Sequence, residues 1–294
     1  MSEMSDPGPQ VLVVGAGPTG LLLAAELERR DVPSLLIDAL DAPRGWDQAT
    51  VVHPRSLEIF EALGIADRFL AQGVGTRAAR FHSDGEILGE LNLGLTASRY
   101  GFDLGLSEEV TESVLTEFLE VQGGAVTRSS RLIGLVPGQD AATATLEREG
   151  ERHEVVVQWV VGCDGLRSAV REAVGIEFPG TDIQAQPAVF DATIEGWNDE
   201  YDVASAHLDQ PPVILTPLPG RRWRVYLRPT SDTSELVAEA SKVIGRYTPG
   251  ATFADVENPT RFRCHSRVAA RFRSGRVLLA GDAAHACTRP KATG

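Results

Sequence analysis

Residues 15–20 read Gly-Ala-Gly-Pro-Thr-Gly, set between a short apolar run, Val11 to Val14, and the helically periodic stretch Leu21 to Arg30. No other feature restricts the fold so tightly. At this spacing Gly15 permits a tight turn, Gly17 lets the backbone approach a pyrophosphate, and Gly20 lets the helix pack close against the strand. Pro18 and Thr19 belong to the same candidate site, because the unpaired N–H groups and partial positive charge of a helix start suit phosphate. A second apolar run, Ser34 to Ile37, closes on Asp38, whose carboxylate can accept hydrogen bonds from an adenosine ribose. Strand, turn, helix, strand and acid in register predict a βαβ unit with a dinucleotide site.

Further helices are predicted over Pro54 to Leu63 and Glu108 to Gln122. Leu132 to Val161 is rich in β-branched residues, with Gln139-Asp140 and Glu149-Gly150 as turns. From about Pro179 the character changes. Val189 to Ile194, Val213 to Thr216 and Trp223 to Leu227 are strand-like, separated by Pro211-Pro212, Pro217 and Pro219-Gly220. Around Arg276 a buried-strand pattern returns, Val277 to Ala280, ending in Gly281-Asp282. The expected fold class is α/β: a Rossmann-like cofactor domain (residues 1–178, returning at 271–294) interrupted by a mainly antiparallel β-sheet substrate domain (residues 179–270).

With 294 residues, 43% hydrophobic and 23% charged, the chain can bury a sizeable core. A net charge of −13 argues against a nucleic-acid partner, which needs a basic face. Cys163, Cys264 and Cys287 are odd in number and far apart, with neither metal-ligand spacing nor a disulfide framework. Met1 to Gln10 is polar with Pro and Gly, unlike a signal or transit peptide, and apolar stretches such as Val155 to Val161 are only strand-length. The expected protein has no membrane span and works in a reducing cytoplasm.

Two later segments separate FAD from NAD as the resident cofactor. Gly162-Cys163-Asp164-Gly165-Leu166-Arg167-Ser168-Ala169-Val170-Arg171 and Arg276-Val277-Leu278-Leu279-Ala280-Gly281-Asp282-Ala283-Ala284-His285 resemble two ordered motifs of the group A flavoprotein monooxygenases. This family includes p-hydroxybenzoate hydroxylase, phenol hydroxylase and the polyketide hydroxylases. Ala42-Pro43-Arg44 and His53-Pro54-Arg55-Ser56-Leu57-Glu58 are similar to its segment around the flavin edge, and the resemblance runs from Gln10 to about Pro290. It implies FAD held by the glycine turn, Asp38, Arg44, Asp164-Gly165 and Gly281-Asp282, with the Asp-Gly motif tied to both FAD and NAD(P)H and Asp282 on the ribityl chain. A carboxylate suits a hydroxyl-rich chain because it accepts without competing as a donor. On their residues alone, Asp164 reads more readily as a turn Asp-Gly and Asp282 as a helix N-cap, both common roles; only together with the glycine turn and Asp38 do they point to the flavin.

Two departures from the family pattern stand out. Glu108 occupies a position where relatives often carry a glutamine that reaches the flavin. A carboxylate there would repel the pyrophosphate, so Glu108 is expected to face solvent. Residues Cys287 to Gly294 carry one residue too many before Pro290, and a glycine-rich stretch and helix expected by the flavin do not follow. The expectation is a truncated relative, or one whose missing piece is supplied elsewhere.

His53, His82, His153, His207, His265 and His285 are scattered, without metal spacing or a Ser/Asp partner pattern. Trp197, Trp223 and Tyr226 could face an aromatic substrate or pack in the core. The resemblance implies an enzyme that spends NAD(P)H and O2 to hydroxylate an aromatic, polyketide-like substrate. The flavin carries the chemistry, which accounts for the lack of a visible catalytic constellation and leaves the catalytic residues unassigned. The alternative is a non-redox relative that binds or cyclises its substrate. An NAD-dependent dehydrogenase leaves Asp164-Gly165 and Gly281-Asp282 unexplained.

Overall fold

The computed structural model describes residues 8–45, 49–95, 97–183, 186–197 and 200–287. Internal contacts divide the chain into two compact units, residues 1–44, 112–182 and 265–294 in one and residues 45–111 and 183–264 in the other. Residues 45–111 thus join the sheet-rich unit, where the sequence reading kept them in the first part of the cofactor domain.

In the first unit the strand Val11–Val14 is buried throughout and pairs in parallel with Trp159–Gly162 on one side and Ser34–Ile37 on the other. Val277–Leu279 adds in parallel beside Trp159–Gly162, Arg273–Ser274 closes that edge antiparallel, and Val126–Thr127 lies beyond Ser34–Ile37. Strands of a parallel sheet bury both faces, which is why these runs are continuously apolar instead of alternating. The helix Pro18–Glu28 buries Gly20, Leu21, Ala24 and Ala25. It starts before the apolar periodicity does, because Pro18 sits at the first helical position, where a missing N–H costs nothing. An antiparallel meander, Ser130–Pro137, Ala142–Arg148 and Glu151–Val157, alternates as a one-sided sheet should and buries Leu132, Leu135, Ala144 and Leu146.

The second unit is built on a seven-stranded sheet. Its order is Thr252–Arg261, Ala188–Glu195, Arg222–Leu227, Val213–Leu218, Val203–His207, Ala78–Ser83 and Glu86–Asn92. All its pairs are antiparallel except Val203–His207 with Ala78–Ser83. Helix Leu236–Tyr247 lays Leu236, Ala240, Val243 and Ile244 on alternate residues of the sheet, among them Phe190, Leu215, Trp223 and Val225. Each such large side chain contributes about 1.5–3 kcal/mol by leaving water. Trp223 is therefore a core residue. Tyr226, of opposite parity on the same strand, points to the other face, and burial raises its pKa. Strand Glu86–Asn92 is exposed along its whole length, so no alternation marked it in the sequence. Among the described residues no helix is long and apolar enough to cross a membrane.

Candidate cofactor site

The glycine turn sits at the carboxyl end of Val11–Val14, where parallel sheets collect ligands. Two of its glycines are required by the protein itself. Gly15 has φ +102°, and a Cβ there would lie 2.4 Å from the Cys163 carbonyl oxygen. A Cβ on Gly20 would lie 1.9 Å from the Gly15 oxygen. Gly17 is different. Its φ of −75° is open to any residue, and a Cβ would meet nothing nearer than Glu112 Oε1 at 3.8 Å. Nothing in the chain demands glycine at 17, whereas a ligand brought against the backbone would. The adjoining helix has no acidic residue in its first turn and no side-chain cap on its N–H groups, leaving its positive end for an anion.

Asp38 is half-buried at the end of Ser34–Ile37. Its Oδ2 accepts the Ala16 N–H at 2.7 Å and its Oδ1 the Leu40 N–H at 2.8 Å. The carboxylate thus braces the glycine turn from outside, and each oxygen keeps lone-pair capacity for a hydroxyl.

Asp164 follows the strand Trp159–Gly162. It accepts from the Ser168 hydroxyl at 2.5 Å and from the Val170 N–H at 3.1 Å, while Ser168 caps the helix Ala169–Ala173 by accepting the Arg171 N–H at 3.0 Å. Burial raises the Asp164 pKa, opposed in part by these hydrogen bonds. Its carboxylate organises the Asp-Gly loop, with Gly165 in the turn itself. Arg171 is buried at 5% exposure; it donates to the Leu166 carbonyl at 2.8 Å and the Ala283 carbonyl at 3.0 Å, and stacks 3.9 Å over the Phe178 ring. Arg171 lies at the end of the Asp-Gly motif, and its position in the sequence carries no role by itself. The available signal was the Asp-x-x-x-Ser-x-x-Arg spacing, in which Ser168 stands at an N-cap position.

The segment after Val277–Leu279 meets the glycine turn. Gly281 has φ +58°, and a Cβ on it would fall 2.7 Å from Thr19 Oγ1, so the first and last motifs touch. Ala280 N–H donates to the Gly162 carbonyl at 2.9 Å. Asp282 is exposed within the short turn Gly281–Ala283, whose N-cap is Ala280. The alternative of Asp282 as that N-cap is therefore set aside.

Pro18 and Thr19 open the helix, Pro18 half-buried and Thr19 exposed, and Arg44 is exposed on the loop after Ser34–Ile37. Glu108 opens helix Glu108–Val121 and is half-buried, which corrects its expected place in solvent. The carboxylate beside the glycine turn is instead Glu112, one turn further on, which sequence reasoning passed over. His285 is exposed on His285–Cys287, which pairs with Cys264–Val268. Burial pushes the Cys163 thiol up to about 12, so it packs as a neutral group under the turn. Pro290 and the rest of the variant ending lie outside the described residues.

A glycine-turn βαβ unit, closed by an Asp-Gly loop and a Gly-Asp turn, defines a dinucleotide-binding flavoprotein unit. The family model described as "FAD binding domain" matches residues 9–294, and the chain belongs to that family. It is 35% identical to the 6-methylpretetramide 4-monooxygenase of Streptomyces rimosus, over 95% of this chain and 51% of that protein. It is 31% identical to the pentachlorophenol 4-monooxygenase of Sphingobium chlorophenolicum, over 95% of this chain and 54% of that protein. Among solved structures, OxyS anhydrotetracycline hydroxylase from Streptomyces rimosus superposes with a TM-score of 0.75 at 28% identity, covering 95% of this chain and 57% of that one. The p-nitrophenol 4-monooxygenase PnpA from Pseudomonas putida DLL-E4 shares the fold, with a TM-score of 0.85 at 24% identity, covering 97% of this chain and 75% of that one. The chain spans about half the length of these curated relatives.

Proposed function

We propose that this chain forms the flavin-holding and substrate-holding parts of an NAD(P)H-dependent FAD monooxygenase that hydroxylates an aromatic, polyketide-like substrate. The observation that carries the reading is Gly17, a glycine that neither backbone angle nor crowding explains and that a pyrophosphate at the helix start does. Similarity to 6-methylpretetramide 4-monooxygenase and pentachlorophenol 4-monooxygenase supports the aromatic substrate class.

In this proposal the Gly17, Thr19 and Gly20 N–H groups and the helix dipole bind the pyrophosphate, while Asp38 both fixes the turn and accepts ribose hydroxyls. Asp282, exposed at the carboxyl edge of the sheet, takes the ribityl chain, and Arg44 adds positive charge. Asp164 and Gly165 act indirectly by shaping the loop under the site. FAD, when bound, supplies the redox chemistry, and the protein's part is to orient it and shelter it from water. A cytoplasmic location, where NAD(P)H is abundant, belongs to the same proposal.

The test is a titration of the chain with FAD followed by flavin fluorescence, then NADH and NADPH oxidation assays over a panel of polyketide phenols. Saturable FAD binding with phenol-dependent oxidation and a hydroxylated product supports the reading. Failure to bind FAD overturns the cofactor assignment. Binding without any electron transfer from either nicotinamide overturns the monooxygenase assignment and favours substrate binding or cyclisation.

A further inference from the structure

Just ahead of the strand Val277–Leu279, at the edge of the sheet in the first unit, the chain turns through a basic knuckle. Residues 271–276 read Arg-Phe-Arg-Ser-Gly-Arg, three arginines in six positions of a chain with 28 basic and 41 acidic residues. Arg273–Ser274 turns back through Gly275, with φ +58°, to pair antiparallel with Val277–Leu279, and it is the outermost strand of the six-stranded sheet. The register sets Arg273 opposite Leu278, and the parallel pairing of Val277 with Val160 puts Arg276 level with Trp159. Leu278 and Arg276 are two residues apart, so the pleat brings both arginines to the face that carries Trp159. The guanidinium carbons of Arg273 and Arg276 lie 5.0 Å and 4.7 Å from the centre of its indole.

These arginines are held in place without being neutralised. Arg273 Nε donates to the Gly275 carbonyl at 2.9 Å and Arg276 Nε to the Gln139 carbonyl at 3.3 Å, so both hydrogen bonds go to backbone. A guanidinium has five N–H donors, and stacking on an indole leaves its edge open to a carboxylate. Among the described residues no carboxylate pairs with Arg271, Arg273 or Arg276, Asp140 beside Gln139 included. Exposed arginines elsewhere find one: Arg55 meets Glu58, Arg77 meets Asp202 and Arg99 meets Glu61. Arg271 and Arg273 are exposed, and Phe272 between them is 49% exposed.

We infer that knuckle 271–276 is a docking surface for an acidic polypeptide segment of a partner protein. The segment carries acids at every second position, matching the two-residue spacing of Arg271 and Arg273, with apolar residues between them to cover Phe272. Trp159 and the backbone carbonyls already hold Arg273 and Arg276, so less side-chain freedom is lost on binding than for an unstacked arginine. The edge position suits an extended partner. Among the described residues Arg273–Ser274 pairs on one side only, leaving its outer backbone groups for a second chain. The charge balance sets the size of the partner. A nucleic-acid duplex or an anionic bilayer would also face the remainder of a chain whose net charge is −13, whereas a short segment meets the knuckle alone.

Anisotropy titrations of a short fluorescein-labelled peptide of alternating Glu and Val with the whole chain test this, beside the same peptide carrying Gln for Glu. At about 20 mM salt the Glu peptide should bind saturably, and about tenfold or more tighter than the Gln peptide. At about 500 mM salt, where exposed charges are screened over a few ångströms, that difference should vanish. The double variant Arg271→Gln, Arg273→Gln should lose the same factor at low salt with an unchanged melting temperature. No binding of the Glu peptide overturns the inference. So does equal binding of the Gln peptide, or full affinity in the double variant. A short DNA duplex or phosphatidylserine vesicles bound as tightly as the Glu peptide, with loss in the double variant, overturns the polypeptide assignment. Should the double variant not fold, NMR of the wild type decides. Peptide-induced shifts of the Arg273 Nε–H and Trp159 Nε1–H signals support the knuckle, and shifts confined to other residues overturn it. None of these readouts depends on FAD.

Discussion

The Arg171 guanidinium donates to the carbonyl of Ala283, 112 residues further along the chain and 3.0 Å away. Its other hydrogen bond goes to the Leu166 carbonyl, so one buried cation ties the Asp-Gly loop to the Gly-Asp turn. Arg171→Met should leave both carbonyls without a donor and lower stability by about 3 kcal/mol, with weaker FAD binding as a consequence. Chemical denaturation and FAD titration measure the two effects. A variant that loses neither shows that water replaces the guanidinium at no cost.

Gly17→Ala and Gly20→Ala should separate ligand space from packing space. The Gly17 Cβ enters open space, so stability should change by no more than about 1 kcal/mol while FAD affinity falls about tenfold or more. The Gly20 Cβ collides with the Gly15 carbonyl, and that variant should be destabilised by roughly 3 kcal/mol or fail to fold. Full FAD affinity in Gly17→Ala would sink the pyrophosphate assignment.

Asp38→Ala removes the acceptor for the Ala16 and Leu40 N–H groups together with the proposed ribose contact. One charged-group hydrogen bond amounts to about 1.5–3 kcal/mol, so FAD affinity should drop about tenfold to a hundredfold. Asp38→Asn, which keeps one oxygen acceptor, should fall between the two. Equal loss in both variants means the negative charge matters more than the brace.

Asp282→Ala should weaken FAD binding with a melting temperature close to that of the wild type, since Ala280 and not Asp282 caps the turn. Exposed substitutions away from caps usually change stability by less than about 0.5 kcal/mol. A variant that melts much earlier with unchanged flavin occupancy would give Asp282 a structural role.

Stability should depend on acid through His207. Its ordinary value is 6.5 and its folded value about 4, so the unfolded chain takes up the proton first as pH falls. Stability from this group is complete above pH 6.5, declines as pH drops towards 4, and the gap amounts to ~3 kcal/mol. Equilibrium denaturation of wild type and His207→Phe across this window checks the slope. An identical decline in both assigns the acid sensitivity to other groups.

The cofactor unit was legible where local signals agree. Val11 to Val14, the glycines and Ser34 to Ile37 form one contiguous pattern, and their parallel sheet has the strand bounds expected from it. Asp164 and Asp282 were ambiguous because a turn or a helix cap uses the same residue types as a flavin site. In the structure Asp164 accepts from Ser168 and Val170 and so shapes its loop, and Ala280 holds the N-cap position of the turn Gly281–Ala283. The hairpin 78–92 escaped because an edge strand exposed on both faces has no polar–apolar period to read. His82 and His207 could not be paired from sequence at all, since only the parallel register brings them together.

The contact of Gly281 with Thr19 also has a bearing on how the chain comes to be folded. The central strand Val11–Val14 receives its neighbour Trp159–Gly162 only after the intervening residues have been made, and Val277–Leu279 comes later still. At ~5–20 residues per second on the ribosome, the first of those waits alone lasts on the order of ten seconds. Throughout it one of the most apolar strands of the chain lacks half of its sheet. A nascent chain of this topology carries an apolar, half-paired sheet until residues 159–162 have been made, so its yield should respond to translation speed across residues 45–158.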